Sequence, residues 1–198
     1  MRKSMYILIL LISFTVIGVQ AQSSFSVEYA MGFGSGNTKT YMTSPSFRGI
    51  IFEYKRYVKP NLSVGGEFGW NAFYERRAFD TYTVGTASYS GVQYHYINAT
   101  PILATVGYHF KSGEKLNPFV GLGIGTLYLE RKTDMGLWTT SVDDWHFALK
   151  PELGVLVNTG PDMDILLSGK YFYGFQTNDV SAQSYFTFNI GMVFKKGM

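Results

Sequence analysis

Apolar and polar positions alternate with a period of two along most of this chain. In the last such segment Phe186, Phe188, Ile190, Met192 and Phe194 share one parity, while Thr187, Asn189 and Gly191 fill the other. Near the beginning, Phe25, Val27, Tyr29, Met31 and Phe33 alternate with Ser26, Glu28, Ala30, Gly32 and Gly34. Successive side chains of a strand point to opposite faces, so each segment predicts a strand with one bulky face and one small or charged face. A narrow water-soluble barrel would have to enclose the bulky set. A membrane barrel turns it to lipid and lines its lumen with the small set. The second arrangement suits these segments better; the alternative is an aromatic-rich soluble β-sandwich or barrel with the same rings inside.

Parity and turn signals place eight strands near 24–35, 46–58, 62–74, 92–110, 118–130, 145–157, 164–175 and 184–194. The connections at 59–61, 111–117 and 158–163 are compact, whereas those at 36–45, 75–91, 131–144 and 176–183 are mostly longer. This alternation predicts an all-β fold, an eight-stranded antiparallel up-and-down transmembrane β-barrel with short periplasmic turns and longer outside loops. An even strand number puts both termini in the periplasm.

The outward parity carries Ile50, Phe52, Tyr54, Val64, Phe68, Trp70, Val120, Leu122, Ile124, Leu149, Leu153 and Val155. Two aromatic belts are expected on it. Phe33, Trp70, Tyr74, Tyr94, Tyr128, Trp145, Tyr173 and Phe186 fall toward the loop end, and Phe25, Tyr108, Phe110 and Phe194 toward the turn end. The inward parity carries Glu28, Glu53, Lys55, Glu67, Lys150, Glu152 and Lys170, with Asn71 and Asn189. Charges in a narrow lumen are costly unless paired, so these seven predict a structural network that fills a polar lumen. Gly121, Gly123 and Gly125 leave room for it on the opposite wall.

Composition refines this picture. Arg2 and Lys3, the apolar run 5–19 and the small residues at 19–21 read as a secretory signal peptide over 1–21, leaving 22–198 as one barrel domain. The formal charge of +3 includes those two basic residues, and removing them leaves +1, which gives no footprint for nucleic acid. The chain has no cysteine, which excludes disulfides, a thiol nucleophile and a lipoprotein anchor. Aromatics make up 17% of residues while mean hydropathy is +0.01, because alternation hides the apolar face from an average.

The segments Tyr96-Ile97-Asn98-Ala99-Thr100-Pro101-Ile102-Leu103, Pro118-Phe119-Val120-Gly121-Leu122-Gly123-Ile124-Gly125 and 186–194, with the Ala21-Gln22 junction, together resemble small eight-stranded outer-membrane proteins of the OmpA/OmpX type, particularly the β-barrel proteins of Bacteroidetes. The resemblance covers the whole mature chain. It implies a Gram-negative outer-membrane location, outer-membrane lipids and lipopolysaccharide as surroundings, insertion by the barrel-assembly machinery, and a monomer. Family barrels often finish on an aromatic residue, whereas here Phe194 is followed by Lys195-Lys196-Gly197-Met198. No peptidoglycan-binding domain follows, so the periplasmic anchoring of longer relatives is not expected.

Chemistry is sparse. The lipid A deacylase pattern places a serine two residues after a histidine; here His95, His109 and His146 are followed at that offset by Ile97, Lys111 and Ala148. Asp143, Asp144 and His146 could ligate a metal, but adjacent acids in a loop are ordinarily solvated. Glu75, Arg76, Arg77 and Asp80 could meet lipopolysaccharide phosphates or simply keep a loop soluble. Tyr41, Tyr82, Tyr89, Trp138 and Asp143 are candidate partner contacts. The sequence therefore predicts a non-enzymatic envelope protein, without cofactor or metal, that supports envelope integrity or presents loops to a surface ligand. A narrow or gated porin-like pore and a lipid-modifying enzyme are the alternatives.

Overall fold

The computed structural model describes residues 22–84, 87–136, 138–177 and 180–196. The expected signal peptide, 1–21, lies outside them. The strands are β1 (Ser23–Ser35), β2 (Ser46–Lys59), β3 (Leu62–Val84), β4 (Ala87–His109), β5 (Leu116–Met135), β6 (Trp138–Asn158), β7 (Met163–Gly174) and β8 (Gln183–Lys196), and one short helix, α1 (Gly36–Tyr41), joins β1 to β2. Each strand pairs antiparallel with its sequence neighbour, and β8 closes on β1. Closure runs from Ser23 opposite Lys196 to Ser35 opposite Ser184, so no open sheet edge remains in the apolar zone. No helix among the described residues is long and apolar enough to cross a membrane; the strands make the crossing.

The outward parity is confirmed strand by strand. Phe25, Tyr54, Phe68, Trp70, Ile102, Val120, Leu122, Ile124, Leu153, Phe188, Ile190, Met192 and Phe194 are exposed to the surroundings, while Glu28, Glu53, Glu67, Lys150 and Lys170 are buried inside. A surface this greasy is sensible only against hydrocarbon.

The strand ends depart from the sequence expectation. The stretches 75–91 and 131–144, expected as loops, are largely strand: β3 and β4 pair up to Val84 opposite Ala87, and β5 and β6 up to Met135 opposite Trp138. The physical reason is that Thr, Tyr, Val and Ser suit a pleated sheet on either face, so above the membrane the chain stays extended while the apolar/polar alternation disappears. From Tyr74 to Val84, at about 3.3 Å per residue, β3 runs on for roughly 30 Å. β2 does not accompany it, since β2–β3 pairing ends at Gly49 opposite Asn71. The loop 36–45 also differs, because it folds into the barrel mouth as α1.

Candidate functional site

The lumen is filled in three layers. In the middle layer the inward face of the sheet brings together carboxylates from β1, β2, β3 and β6 with ammonium groups from β6 and β7. Lys150 Nζ lies 2.6 Å from Glu67 Oε2 and 2.8 Å from Glu152 Oε2. Lys170 Nζ lies 2.9 Å from Glu28 and 2.8 Å from Glu67, with Glu152 at 3.7 Å and Glu53 at 3.9 Å. Lys55, nearer the turn end, pairs with Glu53 at 3.0 Å and sits over the Phe119 ring at 4.8 Å. Register explains why the lysines are needed: Glu53 stands directly opposite Glu67, a repulsive cross-strand pair, and Lys170 stands opposite Glu152. β5 contributes space. A Cβ at Gly123 would come within 3.0 Å of Lys150 Cε, so glycine there lets the lysine lie flat across the lumen.

Glu53, Glu67 and Glu152 offer oxygen atoms within 4.8 Å of one another, the spacing of a metal site. The Lys170 ammonium contacts all three carboxylates and occupies that place as an internal cation. Glu53 Oε1, Glu67 Oε1 and Glu152 Oε1 keep no hydrogen-bond partner among the described residues, and four carboxylates face three ammonium groups. The layer is dense, anionic by one formal charge, and dependent on its lysines.

Apolar layers close the lumen on either side, so it is not polar throughout. Toward the turn end Phe119, Leu156, Leu166 and Val193 pack together. Toward the hairpin end Ile51, Phe73, Ile97, Leu103, Leu127, Leu129, Phe172 and Tyr185 form a larger cluster that also takes in Met42 from the β1–β2 segment. These residues share the inward parity with the charges, and that parity was the available signal.

The mouth segment is latched from several strands. Thr38 is buried and its hydroxyl donates to Gln183 Oε1 at 3.0 Å. Tyr41 stacks on His95 with centroids 4.4 Å apart, and its hydroxyl reaches Thr133 Oγ1 at 2.6 Å and the Lys132 carbonyl at 3.0 Å. Tyr41 is therefore spent on the plug and is not offered to a partner, as a loop residue would be. Glu75 accepts from the Thr43 amide and hydroxyl and the Ser44 amide, while Arg77 donates to the Tyr41 carbonyl at 3.1 Å. Enclosure alone would push the Glu75 carboxyl up; the Ser44 and Thr43 donors, with Arg77 beside it, outweigh that and hold it below its usual 4.5.

All three histidines face inward and are buried. His95 bonds the Tyr41 carbonyl and Gln93, and His146 bonds the Phe175 carbonyl at 2.8 Å. His109 Nε2 lies 3.2 Å from Ser63 Oγ, a histidine–serine pair that an offset of two along one strand could not reveal, since it forms across β3 and β4. The pair is packed between Tyr57, Phe119 and Asn117 with neither partner exposed. Asp143 accepts from the Tyr128 hydroxyl on the outward face, and Asp144, on the same face of β6 as His146, is engaged by the Thr177 hydroxyl and the Trp145 amide, while the His146 ring is turned to the Phe175 carbonyl. The side chains of Tyr82 and Tyr89 lie outside the described residues; Trp138, at the β5–β6 tip, is exposed.

The belt residues lie on the outward face at two heights. Phe25, Tyr108, Phe110 and Phe194 are near the short turns. Toward the hairpins Phe33 stacks on Phe186 at 4.9 Å, Tyr74 on Tyr94 at 6.3 Å, and Tyr128 packs on Trp145 at 5.0 Å; Tyr173 lies toward the same end, and Trp70 four residues below Tyr74 on β3.

The architecture defined by these features is a small, closed transmembrane β-barrel with a solid interior. Residues 7–194 match the outer membrane protein beta-barrel domain, and the chain belongs to that family, an integral outer-membrane protein. Solved structures agree on the fold. The attachment invasion locus protein Ail of Yersinia pestis, in complex with the heparin analogue sucrose octasulfate, superposes with a TM-score of 0.60 at 16% identity, over 90% of this chain and 100% of that one. Neisserial surface protein A superposes at 0.57 and 14% identity, covering 90% and 98%. A major outer membrane protein of Thermus thermophilus superposes at 0.58 and 12% identity, covering 88% and 99%. No curated protein matches the sequence.

Proposed function

We propose that this protein is a non-conducting, non-enzymatic barrel that holds the β3–β4 and β5–β6 hairpins outside the cell surface, with its termini in the periplasm, as a platform for envelope stability or a surface ligand. The observation that carries the reading is the sealed lumen: apolar, charged and apolar layers succeed one another, and α1 closes the mouth. A solute path would have to disrupt buried ion pairs and two packed clusters together. The polar groups with catalytic chemistry, His109 and Ser63, are enclosed in the same packing. The interior leaves the hairpins and the outward face as the surfaces free to act, and it gives a monomer a complete fold of its own.

Single-channel recording on the refolded mature protein in planar bilayers tests this. The expected trace is flat at voltages where open porins conduct. Reproducible unitary currents that disappear in Lys150→Met would replace this reading with the narrow, gated pore.

A further inference from the structure

On its outward face, just at the height where the hairpins leave the membrane, the barrel is electrically lopsided. β2 carries one residue more than β1 between the pairs Ala30–Gly49 and Gly32–Ser46, a bulge that turns both Phe47 and Arg48 outward. Between this bulge and β3 lies a cleft of about 190 Å³ lined by Pro45, Ser46, Phe47, Arg48, Ala72 and Tyr74. The Arg48 guanidinium sits 5.9 Å from the centre of the Tyr74 ring. Arg76, two residues further along the same face of β3, is exposed and stands opposite Tyr94.

Among the described residues neither guanidinium is ion-paired with a carboxylate. The nearby Glu75 points the other way and is used by Thr43, Ser44 and Arg77, and Asp80 accepts from the Thr81 amide. Lys132, the next outward cation around the barrel, is already paired with Asp134 at 3.2 Å. At the same height β7, β8 and β1 present Tyr173, Phe186 and Phe33. Directly below the cleft Ile50 and Trp70 form an exposed apolar pair facing hydrocarbon.

We propose that the cleft between the β2 bulge and β3 binds the phosphate monoester of a membrane lipid, held by Arg48 and Arg76 against Tyr74, with the lipid's acyl chains running down over Ile50 and Trp70. Two guanidinium forks suit a dianionic phosphate, which accepts paired hydrogen bonds from each. The apolar wall beneath selects a headgroup that arrives on a lipid over a free anion. The assignment of this lipid to the outer leaflet rests on the reading that the hairpins stand outside; the binding itself does not.

The test uses the full barrel in phosphatidylethanolamine nanodiscs doped with diphosphorylated lipid A or with the same lipid stripped of its phosphates, and native mass spectrometry counts retained lipid. The phosphorylated form should be retained preferentially. Arg48→Ala and Arg76→Ala should each lower that retention roughly fivefold, as expected for loss of one basic contact at a charged lipid surface. Arg48→Lys should fall between, and Lys115→Ala, at the other end of the barrel, should change nothing. Because Arg76 is exposed on the finished sheet, its variant keeps the test open should the bulge variant fold poorly. Equal retention of the two lipids, or wild-type retention by both alanine variants, would overturn the proposal. Displacement of lipid A by excess inorganic phosphate would show a site for soluble anions and overturn the lipid assignment, whereas retention in its presence supports it.

Discussion

Lys170 has the most to lose by substitution. Its ammonium lies within 3.9 Å of four carboxylates and is fully buried, so replacing it by methionine leaves those charges facing one another in a dry layer. Removing one partner of a buried ion pair ordinarily costs about 3–5 kcal/mol. Lys170→Met should lower the unfolding free energy of the refolded barrel, read from a urea titration, by an amount of that order, Lys150→Met should do likewise, and Lys111→Met, on the exposed turn, should leave it almost unchanged. Adding Glu67→Gln to Lys170→Met should recover part of the loss; no recovery would mean that the layer is not coupled. The seven charges were legible individually because parity assigns each to the inward face. That they form a network followed from their shared lumen, but the individual pairings did not, since the stagger between strands decides which residue meets which, and stagger leaves no periodic trace in sequence. The buried Ser63–His109 contact was invisible for the same reason.

Among the elements, the membrane-spanning strands were readable and the mouth segment was not. Strands facing lipid must alternate, but α1 is six residues long and follows no apolar stripe of its own; it is helical because the mouth offers partners for Thr38, Tyr41 and Met42. The upper halves of β3 to β6 were missed because both their faces meet water, which removes the alternation without removing the pairing. The latch on the mouth segment makes a pH prediction. The Glu75 carboxyl is held below its usual 4.5, so its contribution is fully present above pH 4.5 and is lost as pH falls through the depressed value. Amide hydrogen exchange of residues 36–44, measured relative to β1, should therefore be slow and level from neutral pH down to 4.5 and rise only below it. Glu75→Gln should show the faster exchange at neutral pH already. Equal protection in the variant would show that Tyr41 and Thr38 hold the segment without help from Glu75.

At the scale of the whole molecule, the fold joins two structures with different requirements. Inside the bilayer every backbone group must find a neighbour, which the closed ring of eight strands provides. Outside it, water satisfies open edges, and β3 to β6 continue without β2 and β7 beside them: β6–β7 pairing stops at Ala148 opposite Gly174. We propose that the long hairpins face the medium and that the short turns, which share an end with both strand termini, face the periplasm, where an exported chain begins its insertion. The absence of cysteine makes this directly measurable. Thr140→Cys, exposed on the β6 hairpin arm, and Ser112→Cys, exposed on the β4–β5 turn, each place a single thiol at one end of the barrel. In intact cells a membrane-impermeant maleimide should label Thr140→Cys and spare Ser112→Cys until the outer membrane is opened. The reverse pattern would invert the barrel and move the hairpins, with the arginine cleft beneath them, to the periplasmic side.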